Sequence, residues 1–439
     1  MRRSIENELI KWAQRQNRKV LLLRGARQVG KTYVVREFGK SFDTFIEINF
    51  DEDRRVHQFF NENLNPHEII RNLEIYLNCR IVPGKTLLFF DEIQQCKNAI
   101  SSLRYFHEKY VNLHLIAAGS LLEFALADIP SFGVGRVESM FMYPVSFLEF
   151  ISEYEGDSII EVIKDSSFKL PVNPVFHKKL LDGLRIFQII GGLPEVVQYW
   201  IDTKDMAGCQ RIIKILLQGY YNDFKKYIKS SPSARLTETL ESAASQVCSK
   251  FKYTNVGSES SYLYKDALEL LSKSDLVYRV FHSNAVGNPL GSGVNPKMFK
   301  VILFDTGIFQ RIMNLNISDY ITSDFNTLIN RGELTEIFAG TELKKSHDPY
   351  GMENLYYWHR ESKSSLAEVD YLIVKNGEVV PIEVKTASGR KMKSMRIFLE
   401  EKNSKYGIRL SADNFSKDGN IYSIPLYATG FIKNYDWLI

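Results

Sequence analysis

Residues Gly25-Ala26-Arg27-Gln28-Val29-Gly30-Lys31-Thr32 spell a complete G-x-x-x-x-G-K-[ST] loop, and no other stretch constrains the fold as tightly. Such a loop works only between a buried strand and a helix. Both neighbours are legible. Lys19-Val-Leu-Leu-Leu-Arg24 is an apolar strand pattern, and Tyr33-Val-Val-Arg-Glu-Phe38 reads as the following helix. In this setting the backbone N–H groups point inward around a phosphate chain, and the helix N-terminus adds partial positive charge. Gly25 and Gly30 allow close approach, Lys31 reaches the β- and γ-phosphates, and the Thr32 hydroxyl is a ligand for Mg²⁺. The pattern implies a bound nucleoside triphosphate, read here as ATP with Mg²⁺.

A second signal follows in the right order. Thr86-Leu-Leu-Phe-Phe-Asp91-Glu92 is an apolar strand ending in two acids. An acid at the C-terminal end of a central strand lies beside the phosphate loop, so Asp91 is expected to hold Mg²⁺ together with Thr32. Glu92 is expected to polarise the attacking water. The strand His114–Ala118 then runs into Gly119-Ser120, and two readings of Ser120 stay open: a γ-phosphate sensor, or a cap of the helix Leu121–Ala127. Ser131-Phe-Gly-Val-Gly-Arg136 reads as a loop before the strand Val137–Tyr143. Its arginine, Arg136, is the candidate for neutralising transition-state charge.

With strands at Lys19–Arg24, Thr44–Asn49, Thr86–Phe90 and His114–Ala118 alternating with helical patterns, the first 150 residues predict a parallel sheet flanked by helices. The full length of 439 residues leaves room for two to four domains. The net charge is only +4, so any basic surface for nucleic acid has to be local. Cys79, Cys96, Cys209 and Cys248 are widely spaced without a C-x-x-C pair, which argues against a zinc site or disulfide framework and suits a reducing cytoplasm. The most apolar window, Leu113 to Ala127, contains His114, Ser120 and Glu123 and reads as core, so no membrane partner is expected.

From about Glu149 to Gln246 the periodicity turns helical, broken by Gly191-Gly-Leu-Pro194. Leu263, Ala267, Leu270 and Leu271 mark a further helix, and Asp275-Leu-Val-Tyr-Arg-Val-Phe281 alternates like a strand. Helices followed by a hairpin resemble a winged helix, a module that binds DNA in some proteins and serves as a structural unit in others. Lys300-Val-Ile-Leu-Phe-Asp305 is another strand, and its Asp305 is read as a strand-to-turn residue.

The last hundred residues carry a second chemical pattern. Glu368-Val-Asp370 opens one strand, Lys375-Asn-Gly-Glu is a turn, and Val379-Val-Pro-Ile-Glu383-Val-Lys385 returns. Glu383 and Lys385 share a face of the second strand, and the hairpin is expected to bring Asp370 towards Glu383. Glu336, in a helical stretch, is a further candidate acid. Two carboxylates and a lysine on one face suit Mg²⁺, with acids on the metal and the lysine on a water or a developing charge. The set resembles the D…E-x-K core of the restriction-endonuclease-like (PD-(D/E)XK) nuclease superfamily. Arg390, Lys391, Lys393 and Arg396 follow with no acid among residues 386–396, a run suited to phosphates or to a solvated helix face.

Taken together, the order of motifs resembles a family of bacterial and archaeal AAA-type ATPases with a C-terminal domain of unknown function. The matching stretches are Leu23–Thr32, Phe90-Asp-Glu-Ile93, Gly119-Ser120, Gly135-Arg136, Tyr143–Phe150, Gly191-Gly-Leu-Pro-Glu195, Phe304-Asp-Thr-Gly307 and Glu368-Val-Asp370…Glu383-Val-Lys385. The resemblance implies an α/β architecture in three parts: a P-loop AAA-type ATPase domain over 1–150, a helical and winged-helix-like region over 151–295, and a nuclease-like domain over 296–439. No later arginine stands out as a second sensor in a helical lid. The functional expectation is Mg²⁺-dependent ATP hydrolysis coupled to action on DNA. The alternatives are an ATP-controlled metal-dependent nuclease on DNA or RNA, and a non-catalytic scaffold for nucleic acid or a protein partner, which includes a second copy of the chain.

Overall fold

A computed structural model describes residues 1–61, 63–120, 122, 126, 135–227, 232–315, 332–360, 367–386 and 392–438. The chain folds as two compact units, Met1–Tyr143 with Asp348–Met352, and Pro144–His347 with Glu353–Ile439.

The first unit contains α1 (Ile5–Gln14), β1 (Val20–Arg24), α2 (Lys31–Gly39), β2 (Thr44–Asn49), α3 (Pro66–Leu77), β3 (Thr86–Asp91), α4 (Lys97–Lys109), β4 (His114–Ala118) and β5 (Val137–Phe141). The five strands form one parallel sheet in the order β2-β3-β4-β1-β5. Every residue of β3 and β4 is buried, as expected of strands covered on both faces, and this is why they read as unbroken apolar runs. Strand β4 lies between β1 and β3, pairing Leu21 with Ile116 on one side and Leu115 with Leu88 on the other. Because the strands are parallel, the ends of β1, β3 and β4 emerge at one edge of the sheet. One side of the sheet packs Phe50, Phe60, Phe90 and Phe106 into a core, with Phe50 and Phe90 edge to face at 5.4 Å.

The second unit opens with α5 (Phe147–Glu155), started by a capping box between Ser146 and Glu149. Then come α6 (Ser158–Lys164), α7 (Pro174–Ile190), α8 (Pro194–Thr203), α9 (Met206–Asp223), α10 (Ser233–Ser245), α11 (Ser261–Lys273), β6 (Val277–Ser283), β7 (Val294–Leu303), α12 (Thr306–Ile312) and α13 (Gly332–Lys345). It closes with β8 (Leu355–His359), β9 (Glu368–Lys375), β10 (Glu378–Val384), α14 (Lys393–Lys402), β11 (Gly407–Ser411), β12 (Ser416–Asp418) and β13 (Ile421–Pro425). Eight strands form a mixed sheet in the order β12-β13-β11-β10-β9-β8-β6-β7.

Two sequence expectations are adjusted by this arrangement. The helix–helix–hairpin order of a winged helix is present in α10, α11, β6 and β7. The hairpin, however, does not stand apart as a wing: β6 pairs with β8 in parallel, so both strands extend the C-terminal sheet. The division expected at 295/296 therefore falls inside β7. Packing explains the continuity. Phe147 of α5, Phe187 of α7 and Phe338 of α13 form one aromatic group with centroids 5.8–6.2 Å apart. The two motifs Gly191-Gly192 and Asp305-Thr-Gly307 also meet, where the Asp305 carboxylate accepts from Gly192 N (2.6 Å) and Ile308 N (2.9 Å). Asp305 caps α12, in agreement with its reading as a turn residue.

Candidate active site

The loop between β1 and α2 has the geometry its glycines require. Gly25 adopts φ +135°, and a Cβ there would lie 2.0 Å from the Met142 carbonyl oxygen. Any side chain would force the loop off the sheet. Gly30, at φ 92°, is the N-cap of α2, so the first N–H groups of that helix face the loop. Ala26 and Val29 are buried beneath it, Arg27 is half-buried, and Gln28 is exposed with φ 63°. The Lys31 ammonium donates to Gly25 O (2.8 Å) and Ala26 O (2.7 Å), folded back on the loop it serves.

The acidic strand end is beside it. Thr32 Oγ1 donates to Asp91 Oδ2 at 2.9 Å, although β4 separates β1 from β3. Burial raises the Asp91 pKa, against the Thr32 hydrogen bond, which lowers it. A carboxylate so placed gains from a cation. The Thr32 hydroxyl and Asp91 carboxylate form the oxygen pair that fits Mg²⁺.

Glu92 follows in a left-handed conformation, φ 50°, and its carboxylate accepts from the Gln94 amide. Gln94 also lies against Gly119, where a Cβ would meet its Oε1 at 2.0 Å. This glutamine was not singled out by sequence reasoning; its spacing of two from Glu92 was the available signal. Ser120 is 8% exposed, its Oγ has no hydrogen-bond partner among the described residues, and most of the helix Leu121–Ala127 it would cap lies outside them, so both readings of this serine stay open. Arg136 pairs with Glu108 of α4, and a role at the γ-phosphate requires that pair to open. Residues 131–134 of its loop lie outside the described residues. A further residue missed in the sequence is Arg3. It is buried and donates to Val29 O (3.0 Å) and Tyr143 O (2.8 Å), tying the phosphate loop to the segment after β5.

In the second unit the C-terminal candidates also converge. Tyr371 pairs with Ile382 in the β9–β10 hairpin, and Asp370 Oδ2 accepts from Val384 N at 2.7 Å, beside Glu383. Glu383 pairs with Lys385 at 2.6 Å. Glu336, on α13, approaches the same region, because its carboxylate and that of Asp370 both face Lys300 of β7, at 3.1 and 3.9 Å. Glu368 contacts the same ammonium. Neither Lys300 nor Glu368 was among the sequence candidates. Of the basic run, Arg390 and Lys391 lie outside the described residues. Lys393 is exposed, and Arg396 lies 3.5 Å from Asp418.

All four cysteines are free. Among the described residues, no helix is long and apolar enough to cross a membrane.

Residues 17–151 match the model of an AAA domain family. Residues 182–335 and 331–428 match two domains of unknown function, DUF8612 and DUF4143. No curated protein matches the chain. Among solved structures, the Orc1 protein of Aeropyrum pernix in complex with DNA aligns at 11% identity over 73% of this chain and 95% of that one, with a TM-score of 0.31. The Drosophila ORC bound to DNA aligns at 14% over 71% and 85%, with a TM-score of 0.24. Cdc6p from Pyrobaculum aerophilum aligns at 10% over 71% and 92%, with a TM-score of 0.23. The strand order and phosphate loop of the first unit, with the family model over the same residues, make it an AAA-type P-loop ATPase domain.

Proposed function

We propose that the first unit binds ATP with Mg²⁺ and hydrolyses it, with Glu92 as the base. The observation that carries this reading is the 2.9 Å contact between Thr32 and Asp91, which joins the phosphate loop to the acidic strand end. Thr32 and Asp91 are the residues that would hold Mg²⁺, which when bound neutralises charge on the β- and γ-phosphates. Lys31 leaves the carbonyls of Gly25 and Ala26 and takes up the phosphate oxygens in their place. Glu92 leaves the Gln94 amide and orients the attacking water. Its protonation by that water is the proton transfer this site has to perform.

The test is Mg²⁺-dependent phosphate release. Lys31→Ala and Asp91→Ala are expected to abolish it, and Glu92→Gln to retain ATP binding while stalling turnover. Unchanged ATP affinity in Lys31→Ala would remove the assignment.

For the second unit we propose DNA as the partner. Support comes from Lys250, Lys252 and Lys265, all exposed between α10 and α11 and on α11. Retention of DNA whose log affinity falls linearly with log salt is the expected result. Retention insensitive to salt removes the proposal.

A further inference from the structure

The acidic centre of the second unit gathers Glu336, Glu368 and Asp370 around a lysine. Lys300 enters from β7, a strand outside the D…E-x-K hairpin. Its side chain is 1% exposed. Its ammonium lies 3.1 Å from Glu336 and 3.9 Å from Asp370, touches Glu368, and stands 5.1 Å over the Tyr357 ring. Those acids come from α13 and β9, so one cation is held by two elements and delivered by a third.

Mg²⁺ needs carboxylate oxygens at about 2.0–2.1 Å in near-octahedral array, and a buried ammonium in the same cluster repels it. Among the described residues, no three of His, Cys, Asp and Glu are grouped so as to hold a metal ion. Lys385 of the E-x-K motif pairs with one Glu383 oxygen at 2.6 Å, and the other, Oε2, is buried without a hydrogen-bond partner among the described residues. The residues present thus do not fit the divalent metal that the nuclease-like motif implies.

We infer that Lys300 is the resident cation of this centre, a tethered ammonium in place of a divalent metal, which latches β7 to β9 and α13 and leaves the sheet without metal-dependent cleavage. The inference stands apart from the ATPase reading, because it concerns the other unit and needs no nucleotide.

The experiment titrates Mn²⁺ into the nucleotide-free 439-residue chain and counts free Mn²⁺ by electron paramagnetic resonance, with thermal melts alongside. With Lys300 in place, Asp370→Asn is expected to remove no Mn²⁺ site that the parent chain has. Lys300→Ala leaves the acids uncompensated. It is expected to gain a Mn²⁺ site at least tenfold tighter than any at that centre in the parent, lost again in Lys300→Ala/Asp370→Asn. Mn²⁺ should also raise its melting temperature, as a ligand of the folded state does. Should Lys300→Ala not fold, Lys300→Met/Glu368→Gln keeps the apolar stem, removes one excess charge and is read the same way. A Mn²⁺ site in the parent that Asp370→Asn abolishes overturns the inference, whatever the Lys300 variants do. So does a folded Lys300 variant with no gain in Mn²⁺ binding.

Discussion

The Thr32 hydroxyl donates a 2.9 Å hydrogen bond to the Asp91 carboxylate across 59 residues of chain. This contact places the carboxylate at the phosphate loop and keeps it buried, two requirements that conflict in the nucleotide-free protein. Burial raises the Asp91 pKa, so the folded state gives up this proton less readily than the unfolded chain. For a carboxyl raised in this way, stability is fully present below the unfolded pKa and is lost as pH rises through the folded one. At neutral pH the ionised group is therefore a cost. Asp91→Asn keeps an acceptor for Thr32 and removes the charge. Its melting temperature without nucleotide is expected to rise by a few degrees, about 1 kcal/mol, while ATP turnover disappears. Differential scanning fluorimetry and a phosphate-release assay on one preparation check both halves.

The Gln94 amide donates to the Glu92 carboxylate, and Gln94 packs against Gly119. This ties the carboxylate of the proposed base to Gln94. Glu92→Gln is expected to lower kcat by roughly 10²–10⁴ with ATP affinity intact. Gln94→Ala is expected to change kcat with little effect on KM, because it touches the base and not the phosphate loop. A pure KM effect in Gln94→Ala would count against this role.

Much of the first unit was legible because its signals are local. A G-x-x-x-x-G-K-[ST] loop needs a strand and a helix in sequence, and β3 and β4, buried on both faces, read as unbroken apolar runs. The register of the hairpin from Glu368 to Lys385 was legible for the same reason, since the turn Lys375-Asn-Gly-Glu pairs Lys375 with Glu378. What escaped was long-range. Arg3 reaches Val29 and Tyr143, and its separations of 26 and 140 residues leave no periodic trace. Lys300 opens an apolar run that reads as a plain strand, and only the pairing of β6 with β8 sets it among the acids of β9 and α13. Gly191 and Asp305 were each visible in a motif, but their contact was not.

Arg3 holds the carbonyl of Val29 inside the phosphate loop. Removing its guanidinium takes a donor from that carbonyl and from the one at Tyr143 while leaving every proposed phosphate ligand in place. Arg3→Ala is expected to weaken ATP binding several-fold and to destabilise the first unit by about 1–3 kcal/mol, the usual cost of leaving buried polar groups unpaired. Isothermal titration with a non-hydrolysable ATP analogue reads the first effect and chemical denaturation the second.

Gly191 adopts φ +74°, and a Cβ on it would lie 2.4 Å from Asp305 Oδ1. The carboxylate cannot retreat without releasing Gly192 N and Ile308 N. Gly191→Ala is therefore expected to destabilise the second unit by about 2–4 kcal/mol, from strain and lost hydrogen bonds together. Asp305→Asn, which keeps one acceptor oxygen, should cost less. Equal stability of Gly191→Ala and the parent in urea unfolding would disprove the junction's importance.

Glu336 gives the second unit a pH dependence of its own. Burial first, and the Asp370 charge second, push its pKa up to about 8 from 4.5, against the Lys300 ammonium. The folded protein therefore holds this proton to higher pH than the unfolded chain does. The stability linked to that proton is fully present below the unfolded pKa and is lost as pH rises through about 8. Lys300 acts in another range: its pKa is raised, so its contribution persists until pH passes the ordinary lysine value. Between about pH 4.5 and pH 8 the Glu336 proton sets the slope, at most roughly 1.4 kcal/mol per pH unit for one site. Unfolding of the second unit is expected at progressively lower denaturant over that span. Glu336→Gln, uncharged throughout, is expected to flatten the profile and to retain more of its stability at the alkaline end. A parent profile no steeper than that of Glu336→Gln would show that Glu336 is already ionised in the folded protein.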